Sequence, residues 1–389
     1  MNSDFAQAMA RATASVRAQN LAEATAIIQA ALAGRQEPAA KPAPGPRAFR
    51  IAADVEEAET FDERPPKSRP KAERRPSLRE AIDLLRQGRA GLDGLDLPLP
   101  GMGRRTPAPP LPEGASFVWR SHACAAGSRR YRLFVPSCPG SELRGLVLML
   151  HGCKQDPDDF AAGTEMNRLA EEARMIVAYP EQPAAANVSG CWNWFEPGHQ
   201  GRDGGEPAIL AALARDLAQE FGLPASRTYA AGLSAGGAMA AALAETHPDV
   251  FAAVGVHSGL PHGAARDVVS AFAAMRGQFL APTAAREGAG ARVIVLHGED
   301  DRTVHPANAA AIAEALPAGA ETVDAGATNG RRWRRMRRQG PDGVPQLEVW
   351  LIEGAGHAWS GGHPSGSFTD ASGPSASAEM LRFFGAAHP

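Results

Sequence analysis

The stretch Gly232-Leu233-Ser234-Ala235-Gly236 constrains this chain more than any other. Thr228-Tyr229-Ala230-Ala231 leads into it as a strand-like run, and Gly237-Ala238-Met239-Ala240-Ala241-Ala242-Leu243 leaves it as an alanine-rich helix. A glycine-flanked serine between a strand and a helix reads as a nucleophile elbow: the turn is too tight for large neighbours, and the hydroxyl stands exposed at the strand end. The legible strand and helix separate it from an ordinary glycine-rich loop.

An elbow needs a sheet around it, and residues 114–389 supply the pattern. Phe117-Val118-Trp119 and Tyr131 to Pro136 read as an antiparallel pair, and Gly145 to Leu150 is a continuous apolar run of the kind buried in a parallel sheet. After His151-Gly152-Cys153 the pattern predicts a helix (Met166 to Arg174), a strand (Met175 to Tyr179), a long loop (Pro180 to Pro207), a helix (Ala208 to Phe221) and then the elbow. Strands follow at Phe251 to Val256, Arg292 to Leu296 and Leu347 to Ile352, with a closing helix from Ser377 to Phe384. This alternation predicts an α/β fold: a doubly wound, mostly parallel sheet with its site at the strand carboxyl ends.

A serine hydroxyl is a poor nucleophile at neutral pH, so Ser234 needs a base within hydrogen-bond reach and a carboxylate to orient that base. In this fold the chain order is serine, acid, histidine. The strand ending at Leu296 runs into His297-Gly298-Glu299-Asp300-Asp301, and the strand ending at Ile352 runs into Glu353-Gly354-Ala355-Gly356-His357. Of the eleven histidines, His357 is the best base, lying beyond the acid in a glycine-rich loop after a strand, whereas His363 reads as a loop residue. Asp300 and Asp301 compete for the acid, with Glu299 a weaker third, and one of them is equally suited to capping the helix that follows Pro306.

The stretch from about Gly114 to Phe384 resembles the catalytic domain of the polyhydroxybutyrate depolymerase family of esterases, related to feruloyl and acetylxylan esterases. The matching motifs are His151-Gly152-Cys153-Lys154-Gln155, Cys191-Trp192-Asn193-Trp194-Phe195, the elbow, His297-Gly298 with Asp301 and Val304, and Gly356-His357-Ala358-Trp359-Ser360-Gly361-Gly362. The resemblance implies an α/β-hydrolase fold with Ser234 as nucleophile, Asp301 rather than Asp300 as acid, His357 as base, and no metal or cofactor. It implies a serine esterase for short-chain or hydroxyacyl esters, small or polymeric. An oxyanion hole needs the N–H after the nucleophile, Ala235, and by resemblance that of Cys153. Trp192 and Trp194 are candidate substrate-binding faces, with loop packing the alternative. Only the amide of Cys153 is used, so a disulfide to Cys191 suits two loops bordering one pocket, although a reducing cytoplasm argues against its persistence. Cys124 and Cys138 read as unpaired thiols.

Elsewhere the chain is less specific. Phe5, Met9, Ala12 and Val16, then Leu21, Ala24, Ile27, Ile28 and Leu32, predict a helical hairpin over residues 1–35. Between residues 36 and 112 lie 14 of the 32 prolines, among charged clusters, which marks 36–113 as linker. Ser77-Leu78-Arg79-Glu80 interrupts it as a capping box for a short helix near 77–88. A net charge of −3 gives no case for nucleic acid. The absence of a long apolar run or a basic-then-apolar leader predicts no membrane span and a cytoplasmic chain. The arginine run Arg331 to Arg338 suits one arm of an antiparallel edge pair better than a polyanion site.

Overall fold

In the computed structural model, residues 111–278, 290–340 and 343–385 are described. The hairpin, the linker and its short helix lie outside these residues.

Six apolar runs pair as parallel neighbours at the centre of a ten-stranded sheet, in the order β4-β3-β5-β6-β7-β10. They are β3 (Gly145–Leu150), β4 (Met175–Pro180), β5 (Thr228–Leu233), β6 (Ala253–His257), β7 (Arg292–Gly298) and β10 (Pro345–Ile352). Five of the six are buried along their whole length, because helices cover both faces; β10 keeps a few half-buried positions beside the antiparallel wing. Side chains alternate between those faces. Leu146, Leu148 and Leu150 join one core with helices α3 (Gly205–Glu220), α4 (Ala235–Thr246), α5 (Val268–Met275) and α6 (Ala307–Glu314). Val147 and Met149 join the other, with α1 (Pro157–Thr164), α2 (Met166–Ala173) and α7 (Ala376–Gly385).

Antiparallel wings extend the sheet on both sides. β1 (Ser116–Cys124) and β2 (Gly127–Val135) flank β4. β9 (Arg331–Gln339) pairs with β10 on one side and with β8 (Glu321–Thr328) on the other. The arginine run is thus one arm of an antiparallel pair at this side of the sheet, as expected, with β8 as the outermost strand. Each of its arginines meets a carboxylate, from Arg331 with Asp370 at 2.7 Å to Arg338 with Glu321 at 2.7 Å. A small parallel pair, β11 (Trp359–Ser360) with β12 (Thr369–Asp370), lies beyond His357.

The chain leaves β3 toward β4 on one side and returns to β5 on the other. Adjacent parallel strands whose connections depart in opposite directions leave a crevice at their carboxyl ends. His151 follows β3 and Ser234 follows β5, so both border it. Among the described residues no helix is long and apolar enough to cross a membrane.

Candidate active site

Ser234 occupies the one-residue turn between β5 and α4 with φ 57° and ψ −117°, a left-handed backbone that L-residues rarely adopt. The surroundings impose it. Ser234 N–H donates to the His257 carbonyl at 2.9 Å, and Ser234 O accepts from Ala238 N–H at 2.9 Å. A Cβ on Gly232 would run into the carbonyl carbon of Gly236, and one on Gly236 into the Leu150 carbonyl, so the flanking positions have room for glycine alone.

The acid loop follows β7. Asp301 is buried, whereas Asp300 is exposed and Glu299 pairs with Arg334 at 2.5 Å. Asp301 Oδ1 accepts from the backbone N–H groups of Thr303 and Val304, at 2.9 and 2.8 Å. Its Oδ2 faces His357 Nδ1 at 2.7 Å. Burial alone would push the Asp301 carboxyl up, but the hydrogen bond and positive field of His357, with the Val304 amide, more than offset that and hold it below its ordinary range. An anionic Asp301 takes the proton of His357 Nδ1 as a hydrogen bond and leaves Nε2 as the basic atom. Nε2 and the Ser234 hydroxyl are not hydrogen-bonded to each other; nucleophile–base contacts of this kind commonly tighten only in the Michaelis complex.

Two further histidines brace this arrangement, and the sequence carried one in a motif without a role. His297 Nε2–H donates to the Val304 carbonyl at 2.8 Å, closing the loop whose amides hold Asp301. His257 accepts from Ser360 N–H at 3.0 Å and stacks on Trp359 at 5.1 Å between centroids, steadying the segment after His357. His363 instead bonds Ser365 at 2.8 Å.

On the opposite side of the crevice, the amides of Cys153 and Ala235 have no intramolecular acceptor among the described residues, as an oxyanion site requires. Cys153 and Cys191 are joined as a disulfide, the pairing that the sequence left open. It staples the loop after β3 to the long loop after β4. Cys124 and Cys138 are free and half-buried.

The expectation that Trp192 and Trp194 offer open faces to substrate is also corrected. Trp192 is 0 % exposed, with its N–H on the His151 carbonyl at 3.1 Å, and Trp194 is buried edge-on to Phe195. What seats them is Glu206, a fully buried carboxylate at the start of α3. It accepts from Asn193 N–H at 2.8 Å, Asn193 Nδ2 at 2.9 Å and Gln182 Nε2 at 2.5 Å, with Arg129 at 3.3 Å. A carboxyl so deep needs its oxygens fully hydrogen-bonded, and here Gln182 and Asn193 supply donors from the tryptophan loop itself while Arg129 reaches in from β2. Among the described residues no group of three or more His, Cys, Asp or Glu could hold a metal ion.

A central parallel sheet, a strained serine at a strand-to-helix turn and an Asp–His pair beyond the ends of β7 and β10 define an α/β-hydrolase fold. A solved structure of similar fold is the acetyl xylan esterase from Aspergillus awamori, at TM-score 0.54 and 19% identity, covering 70% of this chain and 98% of that one. The family model for Esterase PHB depolymerase matches residues 129–339, more than half of the chain, and the chain belongs to that family. Among curated relatives, poly(3-hydroxyalkanoate) depolymerase C of Paucimonas lemoignei is 32% identical over 226 residues, 54% of either chain. Feruloyl esterase B of Neurospora crassa is 31% identical over 127 residues, 32% of this chain and 42% of the relative. A probable acetylxylan esterase A of Aspergillus fumigatus is 27% identical over 183 residues, 42% of this chain and 48% of the relative. The chain spans about half the length of the curated relatives it matches.

Proposed function

We propose that the chain is a serine carboxylic-ester hydrolase acting through an acyl-enzyme. His357 Nε2 takes the Ser234 proton as Oγ attacks the ester carbonyl, and the Cys153 and Ala235 amides receive the oxyanion. His357 then returns the proton to the departing alkoxide, and water repeats the cycle on the acyl-enzyme. The observation that carries this reading is the 2.7 Å contact of His357 Nδ1 with a buried Asp301, on the strand ends after the elbow serine.

Short-chain and hydroxyacyl esters, soluble or polymeric, are the substrates we favour. The relatives named for depolymerisation of poly(3-hydroxyalkanoate) and for feruloyl or acetylxylan ester cleavage support an ester class without choosing within it. The long loop after β4 supports short acyl groups, since its aromatics are consumed in packing and leave no apolar lid. The Cys153–Cys191 bond supports an oxidising working compartment over the cytoplasm expected from the sequence.

A panel of p-nitrophenyl esters from acetyl to dodecanoyl, with feruloyl and acetylxylan substrates and a 3-hydroxybutyrate oligomer, tests the reading alongside labelling by a fluorophosphonate. Expected are labelling at Ser234 and best turnover of short acyl groups. A chain that neither labels nor hydrolyses any ester would be an esterase-like binding protein instead.

A further inference from the structure

β6 ends between the strand that delivers the nucleophile and the strand that delivers the acid: His257, its last residue, pairs with Leu233 on one side and Leu296 on the other. From that position its polar groups reach two parts of the site. Its carbonyl accepts Ser234 N–H at 2.9 Å and so holds the elbow from behind. Its ring belongs to a side chain 1 % exposed, and Nε2 accepts Ser360 N–H at 3.0 Å, three residues beyond the base.

An Nε2 that accepts carries no proton, so the ring proton sits on Nδ1 and is donated to Ser258 Oγ at 3.2 Å. The ring also stacks on Trp359, 5.1 Å between centroids and 26° from parallel. Trp359 is itself fixed, edge-on to Phe160 at 5.4 Å and with its N–H on Ser377 Oγ at 3.1 Å. Other holds on this segment, Trp359 N–H on the Phe368 carbonyl at 2.7 Å and Ser360 Oγ–H on the Pro374 carbonyl at 2.7 Å, tie it to the loops that follow. The His257 ring ties it to the strand end that holds Ser234. A methionine would fill the same space without desolvating two nitrogens, but it would offer Ser360 no comparable acceptor.

We propose that His257 is a positioning residue for the reaction: its carbonyl sets the Ser234 backbone and its neutral Nε2 sets the chain just beyond His357, so that one residue fixes the gap the Ser234 proton must cross. The ring takes no part in proton transfer. Burial, with the fields of His297 and His357, holds its pKa at about 3, so it remains an acceptor wherever His357 is neutral enough to act as base. With Ser360 released, His357 drifts from Ser234, and a displacement of about 1 Å at a reacting contact costs on the order of 100-fold in rate.

This inference rests on the esterase reading and adds a claim that can fail separately. His257→Gln and His257→Met are near-isosteres that differ in the property at issue: Gln carries an acceptor oxygen to the site of Nε2, where Met places a methyl group. The Met variant is expected to lose kcat by about 100-fold with KM nearly unchanged, and the same factor in its rate of labelling by a fluorophosphonate, which draws on the same proton transfer. The Gln variant recovers about tenfold or more of both losses. Equal kcat in the two variants, or a loss confined to KM, overturns the proposal.

If either variant fails to fold, the wild-type chain decides. With 15N histidine and 15N serine, the N–H···N bond from Ser360 to His257 is expected to give a scalar coupling in the free chain. That coupling persists after phenylboronic acid forms its adduct on Ser234, while the His357 ring protons shift. A coupling absent from the free chain, or lost on forming the adduct, in a chain whose ester hydrolysis depends on Ser234, overturns this inference and leaves the esterase reading standing. Absence of Ser234-dependent hydrolysis is the separate outcome that removes the reading beneath it.

Discussion

Asp300 and Asp301 are identical side chains one residue apart, and only their surroundings separate them. Asp301 is buried against His357 and two amides; Asp300 projects into solvent. Asp301→Asn should therefore lower kcat by about 10⁴, as expected when the base loses the carboxylate that sets its tautomer, while Asp300→Asn stays near wild type. Steady-state kinetics of both variants give the ranking, and the reverse order would move the role to Asp300. Ser234→Ala should cost about 10⁶ with the fold retained, checked by thermal melting beside the assay. The serine was readable because a glycine on each side of it answers a local steric demand. The two aspartates could not be told apart, because burial depends on strands distant in the sequence. Gln155 and Ser367 lie 212 residues apart, so no local pattern announces their contact.

Among the elements, the parallel strands were legible and the wings less so. A strand covered on both faces must be apolar throughout, so β3 to β7 stand out as runs. β8, Glu321–Thr328, is an exposed edge with no apolar face to reveal it, and α1 is a mere eight residues, betrayed only by its Asp156 cap and Pro157. The tryptophan loop misled for a different reason: aromatics amid polar and glycine residues look the same whether they meet a ligand or a buried glutamate. Two tests follow from how that loop is held. Cys153 and Cys191 close a loop of 38 residues, so Cys191→Ser should lower unfolding free energy by roughly 3–4 kcal/mol. It should leave Ser234-dependent turnover measurable, because the proposed oxyanion donor is the Cys153 amide and not its sulfur. An unchanged urea midpoint would show that the bond does not constrain the unfolded chain. Glu206→Ala, which strands Arg129 and two amide side chains in the interior, should cost about 3–5 kcal/mol by the same measurement. A loss under about 1 kcal/mol would mean that water replaces the carboxylate without penalty.

At the scale of the whole molecule, buried neutral histidines set the response to acid. Burial, reinforced by Arg202 and Arg215, lowers His247 to about 4, and burial with the fields of His297 and His357 lowers His257 to about 3. His151 and His297 are pushed down for the same first reason. Below the ordinary histidine value of 6.5 the unfolded chain binds protons that the folded chain refuses. Stability is therefore full above that value and is lost as pH falls toward the folded values near 4 and 3. The depressed Asp301 adds a loss of the same sign at the acidic end. Thermal melts from pH 7.5 downward should show a falling midpoint beginning near pH 6.5, and a flat profile down to pH 4 would refute this account. The closing segment ties the domain together. Arg292 donates to the Phe383 and Phe384 carbonyls at 2.8 and 2.9 Å, Trp359 reaches Ser377 at 3.1 Å, and Ser377 reaches the Thr164 carbonyl at 2.6 Å. A ribosome delivers Ser234 long before it delivers His357 and α7. On the proposed mechanism, a nascent polypeptide that has its nucleophile and half its sheet outside the exit tunnel still lacks the acid and the base that Asp301 and His357 supply.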